Sequence, residues 1–149
     1  DRMEEKEETE TESEALAGKR LLLAEDDRLC GEILCELLED ETGRPVSIAA
    51  NGRAALEMFE SANGEYDAII MDVQMPVMNG YEAARAIRRS GCGNAKTVPI
   101  IALTADASEE SARSAADSGM NGCLAKPVNI DRLRKAVAAA LKSLSVAYR

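Results

Sequence analysis

The sequence predicts an α/β fold in which a parallel β-sheet carries helices on both faces. Five short apolar runs recur along the chain, and segments of helical periodicity lie between them in strict alternation. The runs also lack the polar alternation of a half-exposed strand, which points to strands covered on both sides.

The elements follow in order. Residues 20–24 (RLLLA) form the first run, and residues 28–40 follow as a helix with Leu29, Ile33, Leu37 and Leu38 as its apolar stripe. Residues 46–49 (VSIA) precede a helix over 52–62 with Ala55, Leu56 and Phe59 inward. Residues 67–71 (DAIIM) precede a helix over 80–90 carrying Ala83, Ala84 and Ile87. Residues 98–103 (VPIIAL) precede a helix capped by Ser108, running through Ser118 and stopped by Gly119. Residues 122–125 (GCLA) precede a helix over 129–143 with Ile130, Leu133, Val137 and Leu141 at helical spacing. Right-handed crossovers leave few topologies for five such units. The expected one is the doubly wound (βα)5 sheet of flavodoxin-like order 2-1-3-4-5.

Composition narrows the function. At 149 residues, one domain is expected. Aromatics make up 3% and Trp is absent, so the core must be aliphatic. No apolar run approaches the ~20 residues of a membrane span, and no secretory signal opens the chain, so this segment is expected to be cytoplasmic without membrane contact. Residues 1–14 carry eight acids against Arg2 and Lys6, six of the nine net negative charges. With Met3 its one large apolar residue, this stretch reads as a disordered linker ending near residue 18. A solvated helix is the plainer alternative. Neither suits nucleic acid, which needs clustered positive charge. Histidine is absent, which excludes a Ser-His-Asp triad and a phosphohistidine donor within the chain. Cys30, Cys35, Cys92 and Cys123 form no CxxC pair and read as thiols of a reducing compartment.

Ligands of an open parallel sheet collect outside the carboxyl ends of its strands. The first strand delivers Glu25, Asp26 and Asp27 there, the third Asp72 and then Gln74, the fourth Thr104, the fifth Lys126 and Pro127. Converging carboxylates repel one another unless a counter-charge is present. A hard divalent cation such as magnesium removes that cost with oxygen ligands. A lysine from another strand adds a fixed charge for a phosphoryl oxygen, and a threonine adds a neutral donor. Asp72 is then the natural nucleophile. Each residue alone has an ordinary reading: acid pairs cap helices, a strand-end Asp makes a turn, Lys-Pro sits in loops, and Thr is a β-former. Their joint placement on four strand ends is the signal.

The segments LLLAEDD, IIMDVQMPVMNG, PIIALTA and NGCLAKP resemble the signatures of response-regulator receiver domains, over about residues 19 to 145. The MDVQMPVMNG and ALTA forms look most like receivers fused to hybrid sensor histidine kinases. The resemblance implies Glu25 and Asp26 as a metal-binding pair, Asp26 being the direct ligand, and Asp72 as phosphoacceptor. It further implies the Gln74 backbone carbonyl as a metal ligand, Thr104 as switch hydroxyl, Lys126 as phosphate-binding lysine, and a cis Lys126–Pro127 bond. Asp27 is not a family ligand and reads as the cap of the first helix. Three residues before the lysine the family usually has Tyr or Phe; here stands Cys123, which puts the usual conformational readout in doubt and predicts a muted response.

The sequence is therefore expected to comprise a linker over 1–18 and a receiver over 19–149. The receiver takes phosphate from a histidine kinase or histidine phosphotransfer domain with magnesium, or manganese in its place, and is a monomer or weak dimer. It is a phosphoacceptor with self-catalysed transfer, not a turnover enzyme. The chain starts at Asp1 and shows no output domain after the fifth helix, so the expected parent is a hybrid kinase anchored in a membrane elsewhere. A stand-alone regulator is the alternative. An aspartyl-nucleophile phosphatase would carry a second Asp where Gln74 stands, and a pseudo-receiver would have lost Asp72, an acid or Lys126.

Overall fold

A computed structural model describes residues 15–106 and 108–147, with side chains to Lys142. Residues 1–14 of the expected linker lie outside the described residues. In chain order the elements are β1 Leu21–Ala24, α1 Arg28–Thr42, β2 Ser47–Ala49, α2 Gly52–Ser61, β3 Ala68–Asp72, α3 Gly80–Arg89, β4 Ile100–Thr104, α4 Glu109–Asp117, β5 Gly122–Ala125 and α5 Ile130–Ala147. The strands form one parallel sheet in the order β2-β1-β3-β4-β5. This is the expected flavodoxin-like order, and every expected strand and helix is present within a few residues of its expected ends.

The pleat sorts side chains into two cores. Leu22, Ile69, Met71, Ile100 and Ala102 pack with Phe59, Ala83, Ala84 and Ile87 under α2, α3 and α4. Leu21, Leu23, Ile70, Ile101 and Leu103 pack with Leu34, Leu38, Leu133 and Val137 under α1 and α5. Every residue of β1, β3 and β4 is buried, which is why those strands read as unbroken apolar runs.

Helix starts follow local chemistry. The side chains of Asp27, Asn51, Asn79 and Ser108 accept from backbone N–H groups of the first turns of α1 to α4, and Asn79 and Glu82 form a reciprocal capping box. Gly119, with φ +90°, follows α4. Arg88 then ties that turn to α3 through bonds to the carbonyls of Gly119 (2.7 Å from Nη2) and Ala95 (3.0 Å).

Two expectations need correction. The packed structure begins before residue 19. Leu16 is fully buried in the α1/α5 core, and Gly18 N–H donates to Thr42 O at 2.7 Å, so residues 15–18 are not linker. The α1 stripe is also different. Gly31, Leu34, Cys35 and Leu38 face inward, while Leu29, Ile33 and Leu37 are 67, 53 and 38% exposed. Gly31 packs against the Glu25 side chain, on the same inward face as Leu34 and Leu38.

Between β3 and α3 the chain turns sharply. Met78 N–H donates to Pro76 O at 2.7 Å, and Val77, between them, has φ +69° and is 77% exposed. A β-branched residue there is strained by about 1–3 kcal/mol, and no burial offsets it. Val77→Gly, which removes the Cβ from this γ-turn, should therefore stabilise the domain by about 1 kcal/mol and raise its melting temperature by about 3 °C. Equal melting of the two proteins would refute the strain.

Candidate phosphoacceptor site

Asp72 ends β3 and Glu25 immediately follows β1; both are buried, at 4% exposure each. Backbone contacts seat Glu25 and Lys126: Glu25 N–H donates to Ala49 O at 3.0 Å, and Lys126 N–H to Thr104 O at 2.7 Å. The Lys126 ammonium reaches across to Asp72 Oδ2 at 2.8 Å and to Glu25 Oε2 at 3.0 Å. Asp27 N–H donates to Glu25 Oε1 (3.2 Å) and Gln74 N–H to Asp72 Oδ1 (3.1 Å), so both carboxylates are oriented by the loops that follow them.

One oxygen each from Glu25, Asp26 and Asp72 lies within 4.8 Å of the others. Ligands at 2.0–2.1 Å around an octahedral ion stand about 4 Å apart when opposite, so the trio needs only a small inward adjustment to hold a small hard cation. Asp26 is exposed, which leaves room for waters. Together with Gln74 and Met75 it lines a cleft running outward over the β3–α3 loop.

Electrostatics agree with that reading. Burial pushes the Glu25 carboxyl above its ordinary value of 4.5; the Lys126 and Asp27 hydrogen bonds pull it back, and the Asp72 charge pushes it up further. Burial also works against the Lys126 ammonium, but its hydrogen bonds to Asp72 and Glu25 win and raise its pKa. One cation therefore serves two buried carboxylates.

The α3 N-terminus closes the site from above. Gly80 N–H donates to Val73 O at 2.9 Å, and a Cβ on Gly80 would stand 2.4 Å from Asp72 O. Only glycine permits that approach.

Thr104 ends β4 at the same edge of the sheet, and its hydroxyl is engaged by the loop that follows it. Asp72 is in register with Leu103, so Thr104 lies one residue beyond it along the neighbouring strand. Its hydroxyl donates to Asp106 O (3.1 Å) and accepts from Asp106 N–H (3.2 Å). The Lys126–Pro127 bond is cis, as expected. Sequence reasoning missed the Gln74 N–H contact to Asp72 and the hold of Asp106 on Thr104, since both depend on loop geometry that no residue pattern announces.

Residues 21–138 match the profile of the response regulator receiver domain. The chain belongs to the response-regulator receiver-domain family. The receiver is 36% identical over 138 residues to a protein named probable histidine kinase 2 of Oryza sativa subsp. indica, covering 85% of this chain but only 13% of that one. The receiver domain of sensor histidine kinase PA1611 from Pseudomonas aeruginosa, solved with a magnesium ion coordinated in its active-site cleft, shares 36% identity. Its TM-score is 0.71, over 85% of this chain and 99% of that one. The receiver of Saccharomyces cerevisiae Ssk1, solved with the histidine phosphotransfer protein Ypd1, shares 32% identity with TM-score 0.72, covering 82% of this chain and 88% of that one. Among the described residues, no helix is long and apolar enough to cross a membrane.

Proposed function

We propose that Asp72 of this receiver accepts a phosphoryl group from a phosphohistidine on a histidine kinase or histidine phosphotransfer domain, in a magnesium-dependent reaction, and that the parent chain is a cytoplasmically exposed hybrid kinase. The observation that carries it is the buried Asp72 carboxylate held 2.8 Å from the Lys126 ammonium, with two further acids at metal-ligand distance. An Asp72 oxygen forms the new bond to phosphorus as the donor's P–N bond breaks, and the electron pair leaves on the imidazole. Lys126 is placed to follow the charge from the carboxylate onto a phosphoryl oxygen, and the Gln74 N–H holds the other carboxylate oxygen during attack. Glu25, Asp26, Asp72 and the Gln74 carbonyl would hold the ion, which when bound neutralises acids and phosphoryl oxygens; manganese would serve as well. The linker over residues 1–14, the absence of nucleic-acid contact and a monomeric or weakly dimeric state belong to the same reading.

The partner's approach is supported by α1. The pleat puts Glu25, Asp72 and Lys126 on the α1/α5 side of the sheet, and α1 starts three residues after Glu25. Its exposed Leu29, Ile33 and Leu37 form an apolar ridge leading from the acid cluster, and such a ridge beside a reactive carboxylate suits a protein donor more than a small molecule.

Two results are expected. With magnesium and acetyl phosphate, intact-mass analysis should find one phosphoryl group per chain, and none with a chelator; labelling that survives the chelator would overturn the metal dependence. Magnesium should also raise the melting temperature by mass action, and Asp72→Asn should stabilise the metal-free domain and blunt the effect. The sign with pH follows from Glu25. Its raised folded pKa means its contribution to stability is fully present below 4.5 and is lost as pH rises through the folded value. The magnesium shift should therefore be largest near neutral pH and shrink toward pH 4.5. A metal-independent melt at low ionic strength and pH 7 would contradict the site.

A further inference from the structure

Glycines from two different helices meet the loop that leaves the acceptor strand. Gly80 opens α3 and lies against the Asp72 carbonyl. Gly52 opens α2, and a Cβ built on it would stand 2.4 Å from Met78 O, 3.0 Å from Asn79 O and 3.0 Å from the Ala83 Cβ. The two oxygens are backbone, which cannot swing aside as the end of a side chain can. The approach is bonded as well as close, since Gly52 N–H donates to Met78 O at 3.0 Å. The first N–H groups of a helix have no partner within it, and here one finds its acceptor in the β3–α3 loop. The Asn51 side chain, which accepts from Ala54 N–H at 2.8 Å, fixes that helix start.

The loop so held forms one wall of the acid cleft. Gln74, Met75, Pro76 and Asn79 line the cleft together with Asp26. The near end of the loop is secured by the sheet, because Val73 N–H donates to Leu103 O at 2.9 Å. Gln74 N–H then donates to Asp72 Oδ1 at 3.1 Å, and Met78 N–H turns back to Pro76 O at 2.7 Å. Among the described residues, the Gly52 bond is the only backbone hydrogen bond that joins residues 74–78 to another helix.

We propose that Gly52 is a positioning residue for the metal side of the acceptor site: by admitting the Met78 carbonyl onto the first turn of α2, it sets where the loop carries Gln74 relative to Asp26 and Asp72. This rests on the reading of those residues as magnesium ligands. Alanine at position 52 favours the helix but presses on loop backbone. The loop is the part that yields, because α2 is anchored in the core by Ala55 and Phe59, both fully buried. The turn closed by the Met78–Pro76 bond passes the displacement to Gln74. Magnesium demands near-ideal octahedral geometry, so a displaced ligand costs affinity. Lys126 and the two buried carboxylates come from other strand ends and keep their places.

Gly64→Ala is a matched control. Gly64 lies between α2 and β3, at the edge of the sheet opposite the site, and a Cβ there would stand 2.8 Å from Cys92 O. The test is magnesium-binding calorimetry on wild type and both variants, with melting curves recorded without metal. Gly52→Ala should weaken magnesium binding about tenfold or more, and its labelling by acetyl phosphate should approach the wild-type rate at saturating magnesium. Gly64→Ala should melt at lower temperature and bind magnesium as wild type does. The proposal is overturned if Gly52→Ala binds magnesium as tightly as wild type, or if Gly64→Ala weakens binding as much. If Gly52→Ala does not fold, amide NMR of wild type decides. The Gly52 amide should shift along the magnesium titration together with that of Gln74; a Gly52 amide that stays still while Gln74 moves would overturn the proposal. If wild type binds no magnesium, the metal-dependent reading of Asp72 falls, and this inference with it.

Discussion

Replacing Ile33 by aspartate is expected to slow phosphotransfer from a phosphohistidine protein about tenfold or more, and to leave labelling by acetyl phosphate at the wild-type rate. Ile33 is 53% exposed at the middle of the α1 ridge, between Leu29 and Leu37, so the substitution removes little core packing. In an apolar contact a central anchor is worth about 1–2 kcal/mol or more, and a charge there must also be desolvated. Cys30 and the Arg28–Glu32 pair share the outer surface of the same helix, and Arg134 of α5 holds Glu41 at its far end through a 3.0 Å bond, so the ridge is presented on a fixed frame. The two donors separate docking from chemistry. Equal loss with both would mean that Ile33 supports the fold or the site; no loss with either would move the docking face elsewhere.

Lys126→Ala should cost about a hundredfold in the rate of phosphorylation, the scale set by removing one preorganised charge donor from a developing anion. The folding effect is expected to depend on metal. Without an ion, Glu25 and Asp72 lose their shared cation and repel, and the domain should melt at lower temperature. The Lys126 side chain is 30% exposed, so solvent moderates that loss. Magnesium should restore most of the stability and little of the rate. A variant that labels at the wild-type rate would reduce Lys126 to a structural counter-ion.

The sheet was legible because parallel strands buried on both faces read as continuous apolar runs, as in AIIMD of β3 and IIALT of β4. Helix starts were legible through Asp27 and Ser108, whose side chains do cap α1 and α4. The rotation of α1 was not. That helix carries apolar residues on two sides, so periodicity offers both Leu29-Ile33-Leu37 and Leu34-Cys35-Leu38 as core. The choice is made by tertiary packing, in which Leu34, Cys35 and Leu38 meet Leu21, Leu23 and the α5 residues Leu133 and Val137. The acid cluster and Lys126 could be read from their places after the strands. The hold on the Thr104 hydroxyl could not, because it depends on the backbone of Asp106 in the loop beyond β4. Leu16 was hidden by its setting, a single leucine after an acidic stretch, yet it is fully buried.

The central claim is that the phosphoryl group resides on Asp72. The direct measurement is peptide mapping by mass spectrometry after borohydride trapping of the acyl phosphate, on wild type and Asp72→Asn phosphorylated in parallel with magnesium. Wild type should yield one modified peptide, with the change at Asp72, and Asp72→Asn should yield none. A modified residue other than Asp72 in wild type, or undiminished labelling of Asp72→Asn, would contradict the account.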